Sequence, residues 1–228
     1  MPAPQRSPNG FSNAAKNSTL WNFGGMDPTK YHIYFNDFDN YIAGDWTVTE
    51  VGAGGSTAIL DMDGGAIVLT CDSGASDVQY AQKVGEGFLM EAGKEAWYKT
   101  RLKMLHATTA DIVTGLQITD TTPLDATDGI YFLKPAAGTS WSLVCRLDAT
   151  TGSTSVSSIA TAVADTFMTL GWHYDGKSAI KYYINDVHTG TLATSASFLP
   201  NTELTVSFGV LGASQTMHVD YVFAAKAR

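Results

Sequence analysis

The sequence predicts an all-β protein, an antiparallel β-sandwich with an extended N-terminal arm, and three observations carry that expectation. Phe167 to Val187, FMTLGWHYDGKSAIKYYINDV, places Asp175-Gly176 between two aromatic and branched runs and leads into a second turn at Asn185-Asp186. Asp-Gly in that setting is a strong hairpin signal, because the turn needs positive φ and glycine adopts it without strain. Further along, Leu204, Val206, Phe208 and Val210 alternate with Thr205, Ser207 and Gly209, the period of a strand with one face in a core. The 22 glycines and the many Thr and Ser oppose long helices.

The first 30 or so residues form the arm. Pro2, Pro4, Pro8 and Pro28, with several Asn and Ser, leave little periodic hydrophobicity, so the segment 1–30 is expected to order only against a partner. From Tyr31 onward short strands alternate with turns, giving one sandwich domain over 31–228. Expected strands are Tyr31–Phe35, Trp46–Val51, Thr57–Met62, Ala66–Cys71, Val78–Val84, Ala96–Leu105 and Ile112–Thr119. They continue as Ile130–Leu133, Ser140–Leu147, Ser153–Ile159, Thr166–Tyr174, Ala179–Ile184, Leu204–Leu211 and Met217–Ala224. Only FSNAAKNSTLW in the arm and a piece near Ala160–Ala164 have the composition for a helical turn or two.

Charge and cysteines narrow the function classes. A net charge of -8, from 22 acidic and 14 basic residues with no Lys/Arg-rich run, argues against a nucleic-acid partner, which needs a basic patch to displace counterions. The N-terminus lacks the apolar segment of a secretory signal and no apolar run approaches the ~20 residues of a membrane span, so synthesis in the cytosol is expected. Cys71 and Cys145 each share a face with apolar neighbours and read as core thiols, not as a disulfide or metal pair.

Each candidate chemistry meets an obstacle in the residues. Hydrolysis of a glycosidic bond needs two carboxyl groups projecting from one face, yet the acidic residues cluster in turns: Asp61 and Asp63, Asp125 and Asp128, Asp175 before Gly176. The five histidines are scattered and no G-x-S-x-G occurs, so a nucleophile triad has no motif. Gly52 to Gly55 and Gly64-Gly65 precede no helix and read as turn glycines, not phosphate cradles. For a structural Ca²⁺, Asn36, Asp37, Asp39 and Asp220 are the oxygen ligands of choice, but no EF-hand spacing supports an ion, and Asp37 and Asp39 are expected instead to cap the turn after the first strand. No catalytic residue and no cofactor is expected. Trp141 and Trp172 fall in phase with apolar neighbours and read as core; Leu20, Trp21 and Phe23 in the arm form either a docking anchor, since large aromatics dominate interface energetics, or a cluster that packs the arm back onto its own sandwich.

The hairpin GWHYDG…IKYYIN, with FNDFDNY near the start, VADTFMTLGWHYDGK in the middle and VDYVFAAKAR at the end, resembles the concanavalin/laminin-G-like jelly rolls of tailed-bacteriophage head decoration (cement) and related structural proteins. The resemblance covers roughly Tyr31 to Arg228. It implies a non-enzymatic virion protein that decorates and stabilises the capsid exterior by binding the major capsid protein lattice as a dimer or trimer. Leu20, Trp21 and Phe23 would then be buried against a neighbouring subunit. The competing classes are a carbohydrate-binding, lectin-like module, alone or as a receptor-binding virion appendage, for which exposed aromatics would stack on sugar rings, and a degenerate glycosidase.

Overall fold

In a computed structural model, residues 28–149, 152–195 and 197–228 are described. They form sixteen strands: β1 Tyr31–Asn36, β2 Trp46–Val51, β3 Ser56–Leu60, β4 Ala66–Thr70, β5 Val78–Lys83, β6 Phe88–Leu89, β7 Ala96–Met104 and β8 Asp111–Gln117. The second half contributes β9 Gly129–Lys134, β10 Ser140–Leu147, β11 Gly152–Thr161, β12 Met168–Tyr174, β13 Ala179–Ile184, β14 Val187–Ala193, β15 Glu203–Leu211 and β16 Thr216–Ala227. Two short 3₁₀ turns, Ala43–Asp45 and Pro123–Asp125, are the helical elements among the described residues.

The strands build two antiparallel sheets. Sheet I runs β14-β13-β12-β7-β16-β4-β3, with β1 also on β16; sheet II runs β11-β10-β9-β8-β15-β5-β2, with β6 also on β15. The long β16 serves two neighbours because a bulge at Asp220 divides it. Thr216–Val219 pair with β4, and Val222–Ala227 pair with β1.

Strand alternation fixes what lies between the sheets. On β7 every second residue from Ala96 to Met104 is buried, and on β15 Leu204, Val206, Phe208 and Val210 point into the core as their spacing predicts. Trp141 and Trp172 are at most 1% exposed, which places both in the core, and the Cys71 and Cys145 thiols are buried and unpaired. Burial raises both thiols to about 11, so they stay protonated. Phe38, Trp46 and Phe208 form an aromatic knot with ring centres 5.0–6.0 Å apart. Across the core, the Tyr98 hydroxyl and Thr114 Oγ1 hydrogen-bond at 2.5 Å, tying sheet I to sheet II.

The departures from expectation have local causes. The piece near Ala160–Ala164 is not helical: Ala160 and Thr161 continue β11, where the β10 ladder offers hydrogen bonds that so short a helix could not match. β14 is an additional strand. Asn185 and Asp186 both take positive φ, the primed turn that returns the chain along β13, although VHTGTLA carries no hydrophobic alternation because it is an exposed edge. β6 is two residues long, beneath the reach of periodicity. The FSNAAKNSTLW segment lies outside the described residues.

Candidate functional site

The β12–β13 hairpin is set by its turn. Gly176 takes φ +76, and Asp175 Oδ1 accepts the N–H groups of Lys177, Ser178 and Ala179 at 2.8–3.0 Å. Burial works against ionising Asp175, but these three donors outweigh it and hold the carboxyl below the ordinary aspartate range. Asp175 is therefore a turn residue whose Oδ1 holds the turn together.

That hairpin and its neighbour β7 build the outer face of sheet I. Trp97, Lys99, Arg101 and Lys103 alternate with buried residues and point away from the core. Register sets Trp97 between His173 and Ala225, Lys99 between Gly171 and Phe223, and Arg101 between Thr169 and Tyr221. Beyond β16, β1 adds Tyr31, Ile33 and Phe35 to the same face, Phe35 opposite Phe223 and 58% exposed.

Rings and charges interleave there. Trp97 stacks on His173 with centroids 5.0 Å apart and planes 8° from parallel, and meets the edge of Tyr31 at 5.6 Å. Each cation of the row has an acidic partner: Lys99 with Asp186 at 2.5 Å, Lys103 with Asp165 at 2.6 Å, and Arg101 with Asp220. Arg101 and Lys103 also lie over the Phe167 ring at 4.2 and 5.3 Å, so the apolar rings bear cationic caps. Burial pulls the Lys99 ammonium down, but its bond to Asp186 and the nearby Tyr221 oxygen carry it above the ordinary lysine value. His173 goes the other way. Burial lowers it, Glu95 only partly opposing, and its Nε2 is enclosed with no hydrogen-bond partner.

The outer face of sheet II is different in kind. Its registered central positions are Tyr80 and Gln82 on β5, Ser207 and Gly209 on β15, Val113, Gly115 and Gln117 on β8, and Tyr131 on β9. All are buried. Tyr80 and Tyr131 lie against glycines: a Cβ on Gly209 would come within 2.1 Å of the Tyr80 ring, and one on Gly115 within 2.5 Å of Tyr131 Cβ. Residues 118–128 close over one end. Gln82 Nε2 donates to Ile118 O and Ser207 Oγ, Asp120 N–H donates to Gln82 Oε1, Gln117 Nε2 donates to Pro123 O, and Arg146 Nη1 donates to Asp125 O. Glu203 and Asp111 stand near opposite ends of β15, since Asp111 pairs with Leu211. Eight residues of strand put them ~27 Å apart, far beyond the roughly 5–10 Å that separates a glycosidase pair.

The residues singled out from sequence fare unequally. Leu20, Trp21 and Phe23 lie outside the described residues. Asp220, a Ca²⁺ ligand candidate, gives its carboxylate to Arg101, and it is Asn36, not Asp37 or Asp39, whose Oδ1 accepts the Phe38 N–H and holds the turn after β1. The reason is geometric: Phe38 takes φ +56, turning its ring into the core and leaving Asp39 exposed. Among the described residues no three His, Cys, Asp or Glu side chains converge as a metal site. Sequence reasoning passed over Trp97, Tyr183 and Gly171. The alternation Trp97-Lys99-Arg101-Lys103 and a glycine inside the hairpin were the available signals.

No protein-family model matches the chain, and no curated protein matches it. Solved structures do. An endo-1,3-beta-glucanase from Streptomyces sioyaensis aligns with a TM-score of 0.62 at 14% identity, covering 88% of this chain and 98% of that one. A protein of unknown function from Shewanella oneidensis MR-1 aligns at 0.60 with 12% identity, covering 87% of each. The carbohydrate recognition domain of Emp47p aligns at 0.56 with 10% identity, covering 88% of this chain and 98% of that one. At such identities the likeness is one of fold: the chain is a concanavalin/lectin-like jelly-roll β-sandwich.

Proposed function

We propose that this chain is a non-enzymatic binding sandwich that works through the outer face of sheet I, as a decorating and stabilising protein on the exterior of a tailed-phage capsid. In this reading it is made in the host cytoplasm and docks on the major capsid protein lattice as a dimer or trimer. The observation that carries it is the contrast between the two outer faces. Sheet II turns a surface of buried central residues outward, closed at one end by residues 118–128 and with Glu203 and Asp111 at opposite ends of β15, whereas sheet I presents Phe35, Trp97, Tyr221 and Phe223 among cations. Aromatics and arginine are the residues that interfaces favour. The chain enters this face at its border, where Arg228 N–H donates to Lys30 O and Arg228 Nε donates to Pro28 O and Tyr31 O.

Co-sedimentation with undecorated capsids of the particle it comes from tests this reading. Wild-type chain is expected to pellet with the capsids, a Phe35→Ser/Tyr221→Ser variant to bind at least about tenfold more weakly, and a chain lacking residues 1–27 to bind more weakly as well. Failure of the wild-type chain to pellet would overturn it. A second reading, a lectin-like module, is favoured by one specific feature, the aromatic-walled pit over Gly171 on this same face.

A further inference from the structure

We propose that the pit over Gly171 is a subsite for a neutral saccharide ring, an inference that rests on the lectin-like reading. The pit, of about 210 Å³, exists because a glycine sits mid-strand where every neighbour in its row carries a side chain: Tyr183 faces it from β13 and Lys99 from β7. The backbone does not demand glycine there, for Gly171 is not among the residues with positive φ. Packing favours it only mildly. A Cβ would meet Tyr98 O at 3.3 Å and Lys99 Cγ at 3.7 Å, against 2.1–2.5 Å at Gly209 and Gly115. A strand glycine with ordinary φ, no bulge and only mild crowding is suited to a close approach from outside.

The walls suit a pyranose. Trp97 and Tyr183 offer ring surface, with Phe223 at the β16 side, and Trp97 is held by the parallel His173 ring and the edge of Tyr31, so little side-chain freedom is lost on binding. At the rim the Lys99–Asp186 pair sets the remaining N–H donors of one ammonium beside a carboxylate acceptor, the chemistry that grips adjacent hydroxyl groups. A sugar ring has both an apolar face for the walls and hydroxyls for the rim. An inserted apolar side chain would use the walls and leave the ion pair unmatched, and a charged ligand would have to compete with one member of that pair.

The test is titration of the full chain with methyl β-glucopyranoside, methyl α-mannopyranoside, laminaribiose and mannobiose, followed by tryptophan fluorescence and calorimetry. Gly171→Val fills the pit, Trp97→Ala removes a wall and Asp186→Asn weakens the rim, and thermal melts establish that each variant is folded. Wild-type binding to at least one sugar, weakened about tenfold or more in the folded Gly171→Val and Trp97→Ala variants, is the expected result. Equal binding by both variants would overturn this subsite while leaving the lectin-like reading standing. No binding of any of the four sugars would overturn both. Loss of capsid co-sedimentation in Gly171→Val, without sugar binding by the wild type, would assign the pit to a protein side chain and overturn the saccharide.

Discussion

Single residues show how this sandwich disposes of its buried polar groups. Lys134, fully enclosed, donates from Nζ to Ala107 O, Pro135 O and Gly138 O at 2.5–3.2 Å, so one ammonium joins the β7–β8 loop to the β9–β10 turn. Burial lowers its pKa, with Asp111 opposing, and the three carbonyls compensate the ion for lost water. Lys134→Met keeps the stem and strands the carbonyls, so it is expected to destabilise the fold by about 3 kcal/mol. Urea denaturation checks this, and an unchanged midpoint would contradict it. Nothing in the sequence marked Lys134, because its partners are backbone atoms supplied by two distant turns. Asp175 was legible for the opposite reason. Its three donors are the next few residues of its own chain, so local turn chemistry was enough.

At the scale of elements, what could be read was what repeats. β15 and β16 announced themselves by alternation, and the Asp175-Gly176 and Asn185-Asp186 turns by residues that tolerate positive φ. What escaped was what depends on a neighbour. β14 is a strand because the turn lays it along β13, and Ala160 and Thr161 are extended because β10 pairs with them. The candidate site follows the same rule. Trp97, Gly171 and Tyr183 lie on three strands, and only the pairing of β7, β12 and β13 brings a tryptophan, a missing side chain and a tyrosine into one depression. Asp220 illustrates the converse: read alone it is a cation ligand, but the β16 bulge hands it to Arg101.

For the whole molecule, the histidines make stability a function of pH. Burial lowers His32, His173 and His218 below the ordinary value; cations reinforce this at His32 and His218, while Glu95 partly opposes it at His173. The unfolded chain takes up protons near pH 6.5 and the folded chain only below that, so stability is full above about 6.5 and falls as acid titrates the folded imidazoles. The lowered carboxyls of Glu91, Asp165 and Asp175 act in the same direction but start from about pH 4, which leaves the interval from 7 to 5 to the histidines. The Tm at pH 5 is accordingly expected below that at pH 7.5, with a smaller difference in His173→Asn/His218→Asn. A flat profile across that interval would contradict the assignment.

The central claim, that sheet I carries the working surface, is tested most directly by hydroxyl-radical footprinting of the wild-type chain with and without undecorated capsids. Protection is expected at Phe35, Trp97, Tyr221 and Phe223, residues of one face contributed by β1, β7 and β16. Protection at exposed residues elsewhere with none on these four, or no protection at any position, would contradict it.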